Sequence, residues 1–183
     1  MNIDLSLTRA RRLINPGPVV LVTARYKDRV NVMPAAWAVP LSGAPPLVGV
    51  AIHPARFTHD LIRRSEQFAL NLPGRPLVES VMRLGRLSGH DVDDKLALVG
   101  LTLMDPKKIE VPLIEECLGW IECVVVDAPA VGDHTLFVGE VVSAQAREEA
   151  FGEMWLLSDD EVRPLHHLGG RCFAALGERF EVA

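Results

Sequence analysis

What most constrains this chain is a series of short β-branched runs, each stopped by a turn before it can lengthen into a helix. "PVVLVTAR" (18–25) leads through the polar turn "YKDR" into "VNVMPAAWAVP", and "LSGAPP" then turns the chain into "LVGVAI" (47–52). "EQFALNLPG", "LTLM", "WIECVVVDA" and "HTLFVGEVVSAQA" continue the series, the last two joined by "PAVGD". Runs of this length and composition, bounded by Pro, Gly and charged turns, read as strands. Turns at such close spacing make antiparallel neighbours, which favours a barrel or sandwich over a doubly wound sheet. Pro34 interrupts the second arm of the first hairpin. Proline has no N–H to give a ladder, so that strand must bulge, end there or lie at an edge. Two or three short helices are inserted, one from Thr58 to about Ser65 and one along "RPLVESVMRLGR", where positions 77, 78, 81, 82 and 84 form an apolar stripe. No repeat, low-complexity tract or linker divides the chain, so residues 1–183 read as one mainly β domain.

Composition removes several classes of function. The formal net charge is −5, the wrong sign for a broad phosphate-backbone binder, so nucleic acid is not expected. No apolar run approaches the roughly 18–20 residues that span a bilayer. The N-terminal "MNIDLSLTRARRLINPGP" has basic residues but no apolar stretch behind them, which argues against an export signal and for a cytoplasmic protein. Cys117, Cys123 and Cys172 form no CxxC pair and read as reduced thiols, with Cys123 in the core. Apolar residues make up 49% of the chain, a surplus that a subunit interface would cover.

The usual catalytic signatures are also missing. There is no G-x-G-x-x-G after a strand, no P-loop and no G-x-S-x-G elbow. His53 and His59 are six apart across a proline, and His166 and His167 are adjacent, so neither pair suits metal ligands on one regular element. No carboxylate pair stands out for acid–base work. Chemistry carried by a bound cofactor is what remains.

One segment suggests where such a cofactor would be held. The apolar run 47–52, expected to be covered on both faces, ends at His53-Pro54-Ala55-Arg56-Phe57-Thr58, and Thr58 reads as the N-cap of the following helix. An arginine on a short turn beside the unpaired N–H groups of a new helix attracts an anion. By residue type alone, an ion pair between Arg56 and a surface carboxylate, with Thr58 acting only as a cap, accounts for the same pattern.

The ordered pieces "VNVMPAAWAVPLSGAPPLVGVAIHPARFTHDLI", "FALNLP", "SGHDVDDK", "GDHTLFVGEVV" and "LHHLGGRCFAALGE" resemble the flavin-reductase-like, FMN-binding split-barrel family, the flavoredoxin group in particular. The resemblance covers nearly the whole chain. It implies a six-stranded antiparallel Greek-key barrel, a homodimer, and one non-covalent FMN per subunit near the interface. The anion on the turn would then be the FMN phosphate, held by Arg56, the Thr58 hydroxyl and N–H groups of residues 53–58. Met33, Pro34, Ala35, Ala36 and Trp37 would face the isoalloxazine. Pro34 would break the ladder and free nearby N–H groups, while small side chains at Ala35 and Ala36 would let a flat ring approach. Trp37 would pack on the ring or its ribityl chain, or else belong to the core. The family places Ser88 and Lys95 in a loop near the flavin, either that of the same subunit or that of its partner, where a solvated lysine is the competing reading. His134 resembles a histidine near the nicotinamide site, and a turn histidine with a local hydrogen bond is the alternative. Asn71 reads as structural, and Gly169 and Gly170 as allowing close backbone packing.

The resemblance thus implies a flavoprotein oxidoreductase that takes hydride from NADH or NADPH onto FMN. A flavoredoxin-type carrier that does not react with nicotinamide is the alternative, and a non-redox ligand-binding barrel is a third class. A monooxygenase or a redox protein would be the partner that takes the electrons.

Overall fold

The computed structural model describes residues 17–182; the reading of the N-terminal segment up to Pro16 lies outside them. The strands are β1 (Val20–Tyr26), β2 (Arg29–Ala35), β3 (Ala38–Gly43), β4 (Pro46–Ile52), β5 (Gln67–Leu72), β6 (Leu103–Met104), β7 (Leu113–Ile114), β8 (Gly119–Asp127), β9 (Ala130–Val131), β10 (His134–Ala146), β11 (Leu165–Gly169) and β12 (Cys172–Ala175). Helix α1 (Phe57–Ser65) follows β4, and α2 (Val78–Arg86) follows β5.

The main sheet is antiparallel throughout, in the order β2-β1-β5-β8-β10-β4-β3, with β9 added on β10. Its two outermost strands, β2 and β3, are consecutive in the chain and joined by Ala36 and Trp37 alone. Opposite edges of a seven-strand path can meet across two residues only if the sheet curls round on itself. The result is a barrel with an open seam between β2 and β3. Its eight strands exceed the six expected, because "VNVMPAAWAVP" is two strands and β9 is a separate short piece.

Pro34 lies on an edge strand, one of the three placements its missing N–H allows, and does not break the ladder as the resemblance implies. It pairs with Leu21 and the strand continues to Ala35. Val32, two residues earlier, has its carbonyl taken by the Lys95 ammonium at 2.7 Å rather than by β1. Antiparallel ladders alternate, so Val32 and Pro34 both turn their backbone groups to the outer side of this edge strand. A missing N–H costs nothing there.

β1 is buried along most of its length because apolar layers cover both its faces. Leu21 joins Val32, Val81, Leu84, Leu113 and Ile114 in one cluster. Val20, Val22 and Ala24 join Val50, Ile52, Phe68 and Phe137 in the other. Phe68 and Phe137 are fully buried, and truncating either to Ala would cost about 3–5 kcal/mol. β4 differs from its apolar reading: Val50 and Ile52 are buried, but Ala51 on the opposite face is only half-buried.

Helix α1 lays buried Thr58, Leu61 and Ile62 toward the sheet and ends at Glu66, whose φ of 55° lets its N–H reach the Ile62 carbonyl at 2.8 Å. Its N-cap is Arg56 with extended backbone, not Thr58 as the sequence suggests. Thr58 is already inside the first turn, where its fully buried hydroxyl accepts from Asn31 Nδ2 at 2.7 Å. Asn71 is structural, bonding the Leu21 carbonyl, the Thr23 hydroxyl and the Ile114 N–H. The fully buried Glu122 accepts from the N–H groups of Lys107, Lys108 and Ile109 and so fastens that loop to β8. No helix among the described residues is long and apolar enough to cross a membrane.

Candidate functional site

The open seam of the barrel borders a cleft of about 460 Å³, within the ~300–1,000 Å³ typical of small-molecule sites. Met33, Pro34 and Ala35 from the end of β2, with Ala36 and Trp37 from the seam, line one side. Ala51, Ile52, His53 and Arg56 come from the end of β4 and the turn after it, and His134 from the start of β10. Eight of the residues expected at the site therefore meet in one place: Met33, Pro34, Ala35, Ala36, Trp37, His53, Arg56 and His134.

The remaining six lie beside the cleft rather than in its lining. Pro54 and Ala55 are exposed on the turn, Phe57 is half-buried and Thr58 is fully buried. The half-buried Ser88 accepts from the His90 N–H at 3.1 Å, closing its own loop. That loop seats on Phe57 and Asn31: a Cβ on Gly89 would lie 2.5 Å from Asn31 Oδ1 and 2.6 Å from Phe57 Cδ1. Lys95 lines a neighbouring hollow of about 210 Å³.

Lys95 is not a solvated lysine. It is 4% exposed, and burial, followed by the charge of Arg56, pushes its ammonium down to about 8. The exposed guanidinium of Arg56 thus lies close enough to Lys95 to repel it. Arg56 has no carboxylate partner among the described residues. An anion placed here would relieve both charges.

At the other side of the seam, three rings stand together. Trp37 and His134 have centroids 4.8 Å apart, and His53 meets His134 edge-on at 5.4 Å. Trp37 is 38% exposed, so it is not a core residue. His53 Nδ1 accepts from the Ala55 N–H at 3.0 Å, which places the proton of the neutral ring on Nε2. His134 Nδ1 lies 2.6 Å from Asp133 Oδ1, and the bond to His134 holds the Asp133 carboxyl below its usual range. With Nδ1–H given to Asp133, the Nε2 of neutral His134 is an acceptor.

Two lining elements escaped the sequence reading. Helix α2 contributes Val81, Met82, Gly85 and Arg86. Its apolar stripe was visible, but nothing local shows that one side of it faces the edge of β2. The β11–β12 hairpin contributes His167, Gly169, Gly170 and Phe173. The two glycines therefore border the cleft instead of only easing backbone packing, and Gly170 needs its freedom at a φ of 62°. Among the described residues no group of three or more His, Cys, Asp or Glu is placed to hold a metal ion. Cys117 and Cys123 are buried, and burial raises both thiols, Cys123 to about 12. Cys172 is exposed.

Known proteins share this fold. The sequence model of the flavin reductase like domain matches residues 11–167. The Escherichia coli (strain K12) protein "Uncharacterized protein YddH" is 37% identical over 97% of this chain and 96% of its own length. The FMN-binding domain of a flavin reductases-like enzyme from Shewanella baltica OS155 superposes with a TM-score of 0.85 at 32% identity, covering 98% of this chain and 96% of that one. The flavoredoxin of Desulfovibrio vulgaris (Miyazaki F) gives a TM-score of 0.84 at 30% identity, covering 99% of this chain and 97% of that one. The domain match spans the curled sheet and both helices, α2 among them lining the cleft, and on that ground the chain belongs to the flavin reductase like family.

Proposed function

We propose that the chain is an FMN-binding oxidoreductase that accepts hydride from NADH or NADPH. The observation that carries this reading is the pair of cations, Arg56 and Lys95, without a carboxylate partner for Arg56, beside a cleft whose other wall is a strand edge with small side chains. Arg56 offers a charged fork to a phosphate, and Lys95 adds a buried ammonium whose proton an anion would hold. Ala35 and Ala36 leave room for a flat ring against the end of β2. The edge position of Pro34 keeps β1 from competing for that side of the strand. FMN, when bound, supplies the redox chemistry. The protein orients it, excludes water from one face, and provides hydrogen-bond groups around it.

His134 is read as the residue on the nicotinamide side of the site. Asp133 fixes its ring, Trp37 packs against it, and its Nε2 is the atom available to a reactant. Thr58 acts indirectly in this reading: its hydroxyl holds Asn31, which carries the loop of Ser88 and Lys95. The exposed apolar side chains Val39, Val126 and Val131 on β3, β8 and β9 are read as contacts with a second copy of the chain.

Anaerobic mixing of the yellow holoprotein with NADH and NADPH tests the activity. Bleaching of the flavin band within turnover times is expected. The likeness to flavoredoxin favours a second reading, a carrier loaded by a donor protein, and absence of bleaching with either nicotinamide would select it. A colourless preparation that ignores added FMN would defeat both.

A further inference from the structure

The cleft carries positive charge at two separate points of its lining, Arg56 and Arg86. The chain has a formal net charge of −5, yet among the described residues the lining holds two arginines, three histidines and no aspartate or glutamate. Asp133, bonded to His134, has a side chain 81% exposed and does not line it. A carboxylate-free, cation-lined cleft in an acidic protein focuses field on anionic ligands.

Its second arginine, Arg86, comes from a different element than the first. Arg86 ends α2, and its neighbour Gly85 packs so closely on β2 that a Cβ there would lie 3.3 Å from Pro34 Cγ. Lys95, by contrast, reaches the same strand at Val32 and feels Arg56. At about 3.3 Å of rise per residue, the two levels are roughly 7 Å apart along β2. No hydrogen bond or ion pair engages the Arg86 side chain among the described residues, whereas Arg83, one turn earlier, donates to the Leu98 carbonyl. Burial of α2's apolar stripe does not need an arginine at this position.

We propose that Arg86 is a substrate-binding residue that holds a phosphate group of the incoming nicotinamide dinucleotide, not the phosphate of FMN. The inference rests on the flavin oxidoreductase reading and assigns the second reactant its anionic anchor. The group engaged is either the pyrophosphate, common to NADH and NADPH, or the 2′-phosphate carried by NADPH alone.

The test uses FMN-loaded wild-type protein, R86A and R86K, titrated calorimetrically with the oxidised dinucleotides NAD⁺ and NADP⁺, alongside FMN titrations of the stripped proteins. R86A is expected to weaken dinucleotide binding about tenfold, R86K to recover part of it, and the FMN dissociation constant to change less than about twofold. Equal losses for both dinucleotides place the pyrophosphate on Arg86, and a loss confined to NADP⁺ places the 2′-phosphate there. In turnover, KM should rise with kcat unchanged. Unchanged dinucleotide binding in R86A, or a holoprotein that binds neither dinucleotide, overturns the inference and leaves FMN binding standing. Loss of FMN affinity in R86A overturns it too, by assigning Arg86 to the cofactor. Failure of the wild-type protein to take up FMN at all would instead remove the reading on which it rests.

Discussion

Lys95 offers the most quantitative test of the site's electrostatics. Its ammonium is 4% exposed, donates to the Val32 carbonyl at 2.7 Å, and is lowered from 10.5 to about 8 by burial and Arg56. That gap corresponds to about 3 kcal/mol of differential stability between the charged and neutral forms. The sign follows from which state holds the proton more tightly. Below pH ~8 Lys95 is charged in both states, and folding bears the full cost of burying it. Between pH ~8 and ~10.5 the folded protein releases a proton that the unfolded chain keeps, so this group makes stability rise with pH. Lys95→Met removes the dependence but leaves the Val32 carbonyl without its donor, a loss of about 1–3 kcal/mol that offsets much of the gain at neutral pH. Urea denaturation of FMN-free wild-type and Lys95→Met proteins at pH 7, 8, 9 and 10 isolates the group. The wild-type protein should gain on the variant as pH increases, by up to about 3 kcal/mol over the full range. FMN should narrow the gap, since a phosphate beside Lys95 favours its charged form. A wild-type-minus-variant difference flat from pH 7 to 10 would refute the depressed ammonium.

Arg56→Ala is expected to weaken FMN binding by about 1.5–3 kcal/mol and riboflavin binding little, because only FMN carries the phosphate; parallel calorimetric titrations that lose equally would remove Arg56 from that role. Ala36→Leu should lower the FMN content of purified protein without lowering the melting temperature of the FMN-free protein, since the side chain enters the cleft and not the core. Glu122→Gln should cost about 3 kcal/mol by urea denaturation at pH 7, as a charged acceptor for three N–H groups is lost. Burial raises the Glu122 carboxyl, but those N–H groups and the Ser143 hydroxyl outweigh it and hold it below 4.5, so the advantage over the variant should shrink as pH falls through that lowered value. Light scattering across a dilution series should show a dimer that Val126→Lys and Val131→Lys weaken; a monomer at micromolar concentration would leave the apolar strands unexplained.

The strand set was legible because β-branched runs and Pro/Gly turns are local signals, and the edge role of Pro34 follows from its missing N–H. Where readings failed, the deciding contact was distant. Nothing in "AAW" marks a strand end, yet the Trp37 carbonyl accepts from Ala51 of β4 instead of continuing β2. Thr58 has the residue type of an N-cap, but Asn31, 27 residues away, draws its hydroxyl inward and leaves the cap to Arg56. Family likeness alone pointed to Met33 to Trp37, while the turn at His53 also stood out by residue pattern, and each forms a contiguous segment. Arg86 and the β11–β12 hairpin were not, because only the packing of Gly85 on Pro34 and the return of the C-terminal segment bring them to the seam.

The site follows from how the sheet fails to close. Edge strands expose unpaired ladder groups and are normally covered or charged to prevent association. Along β2 the chain uses a different cover at each level: Lys95 caps the Val32 carbonyl, a proline removes the donor at position 34, and α2 packs against that proline through Gly85. From Met33 to Ala36 this edge lines the cleft, together with two arginines that carry no ion pair among the described residues. An anionic, flat ligand would complete that edge and neutralise its flanks together, which couples ligand affinity to the stability of the seam. Because the cations are partly exposed, association with anionic reactants should slow steeply with ionic strength, while a phosphate already bound beside the buried Lys95 should be screened far less.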